Sequence, residues 1–408
     1  MLNEAQQAAL TKLCRDLIRI PSNSGHEEAV AAYLREYLLG VGFDSAETDE
    51  NGNLVACVRG DRPGCRLLFD GHIDTVPVED PKEWKHPPYA AEVEDGKIYG
   101  RGATDMKGSV AAFCFAAGEF LKTHGRSFAG ELFIAGIVHE ECFEGISARA
   151  VSQAVKPDLV VIGEASEMNL KCSQRGRAEL VLETFGVPCH SSNPQKGVNA
   201  VYSMCRAVDE IRRLPPVKNP AMAADGILEL TDIKSAPYPG ASVVPEYCRA
   251  TFDRRLLVGE TRESVLEPIR EILDRLHSED PKFRAEISYS CGKERCYTGK
   301  TIAAERFFPA WLEDPASPCL QAIMENICAK GYRPKLSGYR FCTNGSHYAG
   351  EAGIPCIGIG PSCEELAHTV DEFVELNELF AVADYDTAVM ETILRENDYF
   401  KKDLQTAL

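Results

Sequence analysis

Short β-rich apolar runs near 53–58, 66–69, 132–138 and 159–162 alternate with helical patterns, and this alternation constrains the fold more than any other feature of the chain. It predicts an α/β sheet. An amphipathic first helix is expected within 1–21, where Leu10, Leu13, Leu17 and Ile18 share a face. A second helix is expected near 27–39. The apolar, alanine-rich stretch 107–120 follows a glycine-rich turn, which places a buried helix directly after Asp105.

Around Gly176 the texture changes. Strand patterns at 178–184, 226–231, 243–252 and 283–288 enclose helical patterns at 198–214 and 262–276, the β-α-β-β-α-β order of a small ferredoxin-like α+β domain. After Lys300 the α/β texture returns, with a helix near 319–329, a strand at 355–358 and a long helix after Val370. The expected organisation is therefore a discontinuous α/β domain, 1–177 and 293–408, with an α+β domain at 178–292 inserted into it. A chain of 408 residues exceeds one ordinary core, as two domains require.

The formal net charge of −18, with no long basic run, argues against nucleic acid and anionic membrane surfaces as partners. A small anionic substrate would be repelled by this field and would need local arginines. The most membrane-like stretch, 109–118, is far below the roughly 20 residues that span a bilayer, and 1–21 lacks a secretory pattern, so the cytoplasm is the expected compartment. Sixteen cysteines are scattered singly from Cys14 to Cys363 without a Cys-x-x-Cys pair, which predicts reduced thiols.

Several segments carry candidate chemistry. In Gly71-His72-Ile73-Asp74, residues two apart on extended chain face the same side, so Asp74 can support His72 or reach the same cavity. Asp105 starts a helix after the glycine-rich segment 100–108 and can either cap that helix or bridge cations. Glu140 and Glu141 follow the run 132–138, and neighbouring carboxylates at a strand end point in different directions. Glu164 ends another apolar run, and His368 lies between a Gly-Pro turn and the last helix. Each has an ordinary reading taken singly, as a structural histidine, a cap or a solvated carboxylate. Together they supply the His, Asp and Glu inventory of a two-metal site.

In order and spacing these segments resemble the co-catalytic zinc peptidase and deacylase family of acetylornithine deacetylase, succinyl-diaminopimelate desuccinylase and the glutamate carboxypeptidases. The similarity runs from Ile20-Pro21-Ser22 to the closing helix. The resemblance implies that His72 and Glu164 bind one metal, that Glu141 and His368 bind the other, and that Asp105 bridges them. It makes Asp74 the orienting partner of His72 and Glu140 the general base towards the metal-bridging water. Two divalent ions are implied, zinc first, with manganese or cobalt suited to the same ligands. The resemblance also implies a zinc-peptidase-like mixed-sheet catalytic domain and a lid and dimerisation domain at 178–292.

Within that inserted domain, Val187-Pro188-Cys189-His190 resembles the family segment whose histidine stabilises the oxyanion in the partner subunit's site. It implies that His190 is such a donor and that the protein is a homodimer through the lid domains. Arg177 and Arg255 lie in segments that resemble those near the substrate carboxylate in relatives, and Asn344 is expected to make a polar substrate contact. Cys189-His190, Asp253-Arg254-Arg255 and Phe307-Phe308-Pro309-Ala310-Trp311 are similar to selenium-metabolism-linked hydrolases of the YgeY type. His139 departs from the family's usual polar residue before the Glu pair, and Ala165 replaces a common proline.

The expected activity is hydrolysis of an N-acyl, N-carbamoyl or peptidyl amide in a small carboxylate-bearing substrate. Aminopeptidase or dipeptidase action is an alternative within enzymes. A metal-binding homologue or scaffold without catalysis is the alternative outside them, and the presence of Glu140 argues against it.

Overall fold

The computed structural model describes residues 1–222 and 224–395. Residues 223 and 396–408, which the expected domain boundaries include, lie outside it. In chain order the first unit opens with α1 (Glu4–Ile18), α2 (Glu28–Gly40), β1 (Ser45–Thr48), β2 (Leu54–Arg59) and β3 (Arg62–His72). It continues through α3 (Gly108–His124), β4 (Ala129–Ile137), α4 (Ala148–Val155), β5 (Leu159–Ile162) and β6 (Leu170–Gln174). The second unit supplies β7 (Gly176–Phe185), α5 (Ala200–Ile211), β8 (Ile227–Ala236), β9 (Tyr247–Leu256), α6 (Arg262–Glu279) and β10 (Arg284–Tyr289). The chain then returns to the first unit for α7 (Pro318–Ala329), β11 (Leu336–Tyr339), β12 (Cys356–Gly358) and α8 (Leu376–Leu394).

The strands of the first unit form a mixed sheet in the order β1-β2-β4-β3-β5-β12-β6, with β11 also paired to β6. Its centre is parallel: β3 runs alongside β4 and β5, in register His72 to Ile137 and Asp70 to Ile162. Central parallel strands are covered on both faces, which is why Leu67 to His72 are buried without alternation. The helix α3 is buried from Gly108 to Gly118, as expected of one apolar nearly all round. Phe113 packs on it against Phe69 of β3, with ring centroids 5.8 Å apart.

The second unit is an antiparallel sheet in the order β8-β9-β7-β10. Counted along the chain, the second strand lies outside the third, then the first and the fourth, the ferredoxin-like arrangement of a β-α-β-β-α-β series. Leu180, Leu182, Met204, Ile211, Phe252 and Ile269 share one core, so α5 and α6 cover the same face of this sheet. Two caps define the helices. The Asn199 side chain accepts from the backbone N–H groups of Val201 and Tyr202 at the start of α5, and Thr261 forms a capping box with Ser264 at the start of α6.

The boundaries differ from the sequence expectation in two places: the second unit starts at Arg175 rather than 178, and it takes in a later stretch. The second unit comprises Arg175–Gly292 and also Ala303–Trp311, a stretch expected in the first domain. The cause is a strand pairing: Phe307 and Phe308 lie opposite Ala178 and Arg177 of β7, and Phe307 is buried with the second core. No helix among the described residues is long and apolar enough to cross a membrane. No disulfide joins the described cysteines, most of which are buried.

Candidate metal centre

Because β4, β3 and β5 are parallel neighbours, their carboxyl ends open on one edge of the sheet, the usual place for an α/β active site. His72 closes β3, Glu140 and Glu141 follow β4, and Glu164 follows β5. Asp105 reaches the same place from the segment before α3, and His368 from the loop before α8. All belong to the first unit.

Two groups of ligand atoms result. His72, Asp105 and Glu164 each offer one atom within 4.8 Å of the others, and so do Asp105, Glu141 and His368. Asp105 belongs to both: its Oδ1 lies 2.7 Å from Nε2 of His72, and its Oδ2 lies 3.0 Å from Nε2 of His368. His368 Nε2 also lies 2.9 Å from Oε2 of Glu141. Both His139 and His368 hold left-handed backbone angles, φ 59° and 62°, a conformation costly outside glycine and concentrated at functional sites.

Burial sets the electrostatics. His72 and Glu164 are 1% and 4% exposed. Desolvation opposes a charged His72, but the carboxylates of Asp105, Asp74 and Glu164 outweigh it and hold the imidazole well above its ordinary value. Hydrogen bonds to Asp105 and Glu141 raise His368, whose side chain is half exposed, to about 10 against a smaller opposing desolvation. Burial, then the Asp105 charge, pushes Glu141 up to about 7. Burial likewise drives Glu140 and Glu164 well above the carboxylate range, with neighbouring carboxylates adding to it. Four carboxylates crowded against two imidazoles make a strongly cation-seeking pocket. Imidazole nitrogen and carboxylate oxygen are the donors that divalent zinc, manganese or cobalt accept, so the residues fit two such ions.

Asp74 is fully buried, and its role divides between its atoms. Its main-chain oxygen lies 2.9 Å from Nδ1 of His72, closer than its Oδ1 at 3.6 Å. The orienting partner of the imidazole is therefore the carbonyl. The carboxylate instead accepts from the backbone N–H of Glu140 at 3.1 Å, the N–H of Glu141 at 3.3 Å and the Ser24 hydroxyl at 2.6 Å. Glu140 itself is 6% exposed, and its Oε1 has no hydrogen-bond partner.

Asn344 departs from expectation. It is 2% exposed, its Oδ1 accepts from the N–H of Gly145 and its Nδ2 donates to Asp70, so both ends of the amide brace the first unit rather than face a substrate. Asp70 also accepts from the Tyr348 hydroxyl. The other three sequence candidates lie in the second unit. Arg177 and Arg255 are cross-strand neighbours that share Asp253, at 2.9 Å and 2.8 Å. His190 is exposed, and its Nδ1 accepts from the backbone N–H of Ser192, which leaves Nε2 to carry the proton of a neutral ring.

Sequence reasoning passed over two supporting carboxylates. Glu372 is fully buried; its Oε1 accepts from the N–H groups of Thr104 and Asp105, and its Oε2 pairs with Arg101 at 2.5 Å. Glu27, also fully buried, accepts from the N–H groups of Gly25 and His139. The nearest signal was the Asp371-Glu372 pair just after His368.

The family model described as Peptidase family M20/M25/M40 matches residues 68–392. The chain belongs to this family. Like the family's other members, it is a metal-dependent hydrolase of amide or peptide bonds. The YgeY protein of Escherichia coli (strain K12) is 32% identical over 373 residues, 90% of each chain. Succinyl-diaminopimelate desuccinylase 2 of Ruegeria sp. (strain TM1040) is 28% identical over 403 residues, 95% of this chain and 94% of that one. The fold is shared with the Bacillus subtilis YXEP protein, described as a dinuclear metal-binding peptidase. That match has a TM-score of 0.71 and 15% identity, and covers 95% of this chain and 99% of the other.

Proposed function

We propose that this family member hydrolyses an N-acyl, N-carbamoyl or peptidyl amide in a small carboxylate-bearing substrate, with Glu140 as general base. The observation that carries this reading is Asp105, whose two carboxylate oxygens face the two histidines of separate ligand groups, with a buried Glu140 following the Asp74 carboxylate that holds its backbone. His72 and Glu164 would hold one ion, Glu141 and His368 the other, and Asp105 both. When bound, the ions supply Lewis acidity to the attacking water and to the scissile carbonyl. The dinuclear description of the YXEP protein supports the pair, and zinc is the metal we assign first.

The residues divide the remaining work. The Asp74 carbonyl fixes the His72 proton on Nδ1, which frees Nε2 as a ligand atom. A carboxylate oxygen of Glu140 takes the proton that water loses as its oxygen bonds to the carbonyl carbon. The same acid then returns that proton to the departing nitrogen as the C–N bond breaks. His190, with its proton on Nε2, is assigned as a hydrogen-bond donor to the tetrahedral oxyanion from a second subunit. Arg177 and Arg255, each paired through Nε with one oxygen of Asp253, are assigned to the substrate carboxylate. The desuccinylase supports a deacylase over an aminopeptidase, and the thiol-rich chain supports the cytoplasm.

The test is a panel of N-acyl amino acids, N-carbamoyl amino acids and dipeptides against zinc-, manganese- and cobalt-loaded protein. Turnover is expected for at least one class, with loss on chelation and a fall of roughly 10²–10⁴-fold in Glu140→Ala at unchanged metal content. Activity that survives both treatments would overturn the assignment.

A further inference from the structure

Outside the two ligand groups around Asp105, the described residues of the first unit hold one more cluster of mixed donor type. A ring nitrogen of His139, the Cys142 sulfur and a Glu294 oxygen all lie within 4.8 Å of one another. We propose that His139, Cys142 and Glu294 form a third cation site, for a thiophilic divalent ion such as zinc, beside the turn that presents Glu140 and Glu141.

Three observations support it. Nδ1 of His139 is 3.4 Å from the Cys142 sulfur, close to the separation of about 3.5 Å that nitrogen and sulfur ligands take around a tetrahedral zinc. His139 is 2% exposed, so an ion ligated through its Nδ1 would be held at a buried imidazole, with little water competing for that nitrogen. The spacing also fits: His139 and Cys142 are three residues apart across a turn closed by the Phe143 N–H on the Glu140 carbonyl, a short chelating loop of the kind closed zinc sites use. Glu294 comes from the remote strand Cys291–Arg295.

The donor set selects the metal. A thiolate with an imidazole favours zinc or a similar borderline-soft ion over magnesium or calcium, which prefer all-oxygen shells. On binding, the Cys142 thiol gives its proton to solvent and the sulfur donates an electron pair, with no change of oxidation state. Three protein donors leave a fourth position for water. Glu140 and Glu141 lie between the two chelating residues, so an ion here would pin the turn that carries them without touching the substrate.

The experiment uses the full chain, loaded with cobalt(II) in a background where the exposed Cys205 and Cys291 are serine. A near-ultraviolet thiolate-to-cobalt charge-transfer band is expected, together with a metal content one equivalent per chain above that of Cys142→Ser. The band is lost in Cys142→Ser and weakened in Glu294→Gln, while circular dichroism stays unchanged. A band that is absent from the folded, loaded protein overturns the site, as does one that persists in Cys142→Ser. An S–H···N hydrogen bond alone gives no such band. If the pair of ions around Asp105 fails instead, total metal drops while the band remains, so the two assignments fail separately.

Discussion

Glu372 joins two ligand-bearing loops at once. Its Oε1 holds the N–H groups of Thr104 and Asp105, and its Oε2 holds Arg101, whose other terminal nitrogen lies 3.5 Å from the carbonyl of His368. A neutral amide at position 372 keeps the shape but must set an NH2 group against either those backbone donors or Arg101. Glu372→Gln is therefore expected to weaken metal binding by roughly 10–100-fold, read by competition with a chelating dye, while kcat at saturating metal falls less. An unchanged affinity would reduce Glu372 to a packing residue. His72, Glu141 and Glu164 end apolar runs, where a polar residue stands out in sequence. Glu372 and Glu27 act through hydrogen bonds to main-chain groups of distant segments, and nothing in the sequence marks which backbone a carboxylate will find. Asn344 shows the converse: a polar contact to the substrate is expected of it, yet Asp70 and the Gly145 N–H draw both ends of its amide inward.

Arg149 of α4 pairs with Glu351, which also receives His347, and this contact ties the helix to the segment before β12. Burial disfavours the charged carboxyl of Glu351, but the hydrogen bonds from His347 and Arg149 outweigh it and draw it to about 2. A carboxyl that is more acidic folded than unfolded stabilises the fold fully above its unfolded value, and the contribution is lost as pH falls through the folded one. With solvent screening of a partly exposed pair, Glu351→Gln is expected to cost roughly 1–2 kcal/mol at pH 7. Urea titrations of both proteins should show this gap closing from pH about 4.3 downwards; a gap independent of pH would mean the carboxylate charge is not its source. Strands with polar buried positions were the least legible elements. In β6, Lys171, Ser173 and Gln174 are buried, and the Gln174 amide bonds to Thr343 and Ser346, so the segment does not read as apolar. The edge strand β8 extends to Ala236, past the expected 231, through mostly exposed residues that carry no alternation. The parallel strands β3, β4 and β5 were legible because burial on both faces makes them continuously apolar.

At the scale of the chain, β8 pairs only with β9 among the described residues, and Ile227 and Ile233 on it are 42% and 46% exposed. Tyr202 of α5 is 75% exposed. A sheet edge with exposed apolar side chains is a template for pairing with another chain, and the homodimer proposed above would use it. Ile233→Lys is expected to shift sedimentation from dimer to monomer and to lower turnover at unchanged metal content, as a donor histidine supplied in trans requires. A wild-type monomer in solution would end both expectations. Every proposed ligand and Glu140 belong to the first unit, whereas Arg177, Arg255 and His190 belong to the second. On that assignment inheritance can act on the two roles separately: substitutions around Arg177 and Arg255 would retune which molecule is cut, while selection on the ligands, Glu140 and His190 would preserve the means of cutting, so descendants of one ancestor can diverge in diet without reinventing their chemistry.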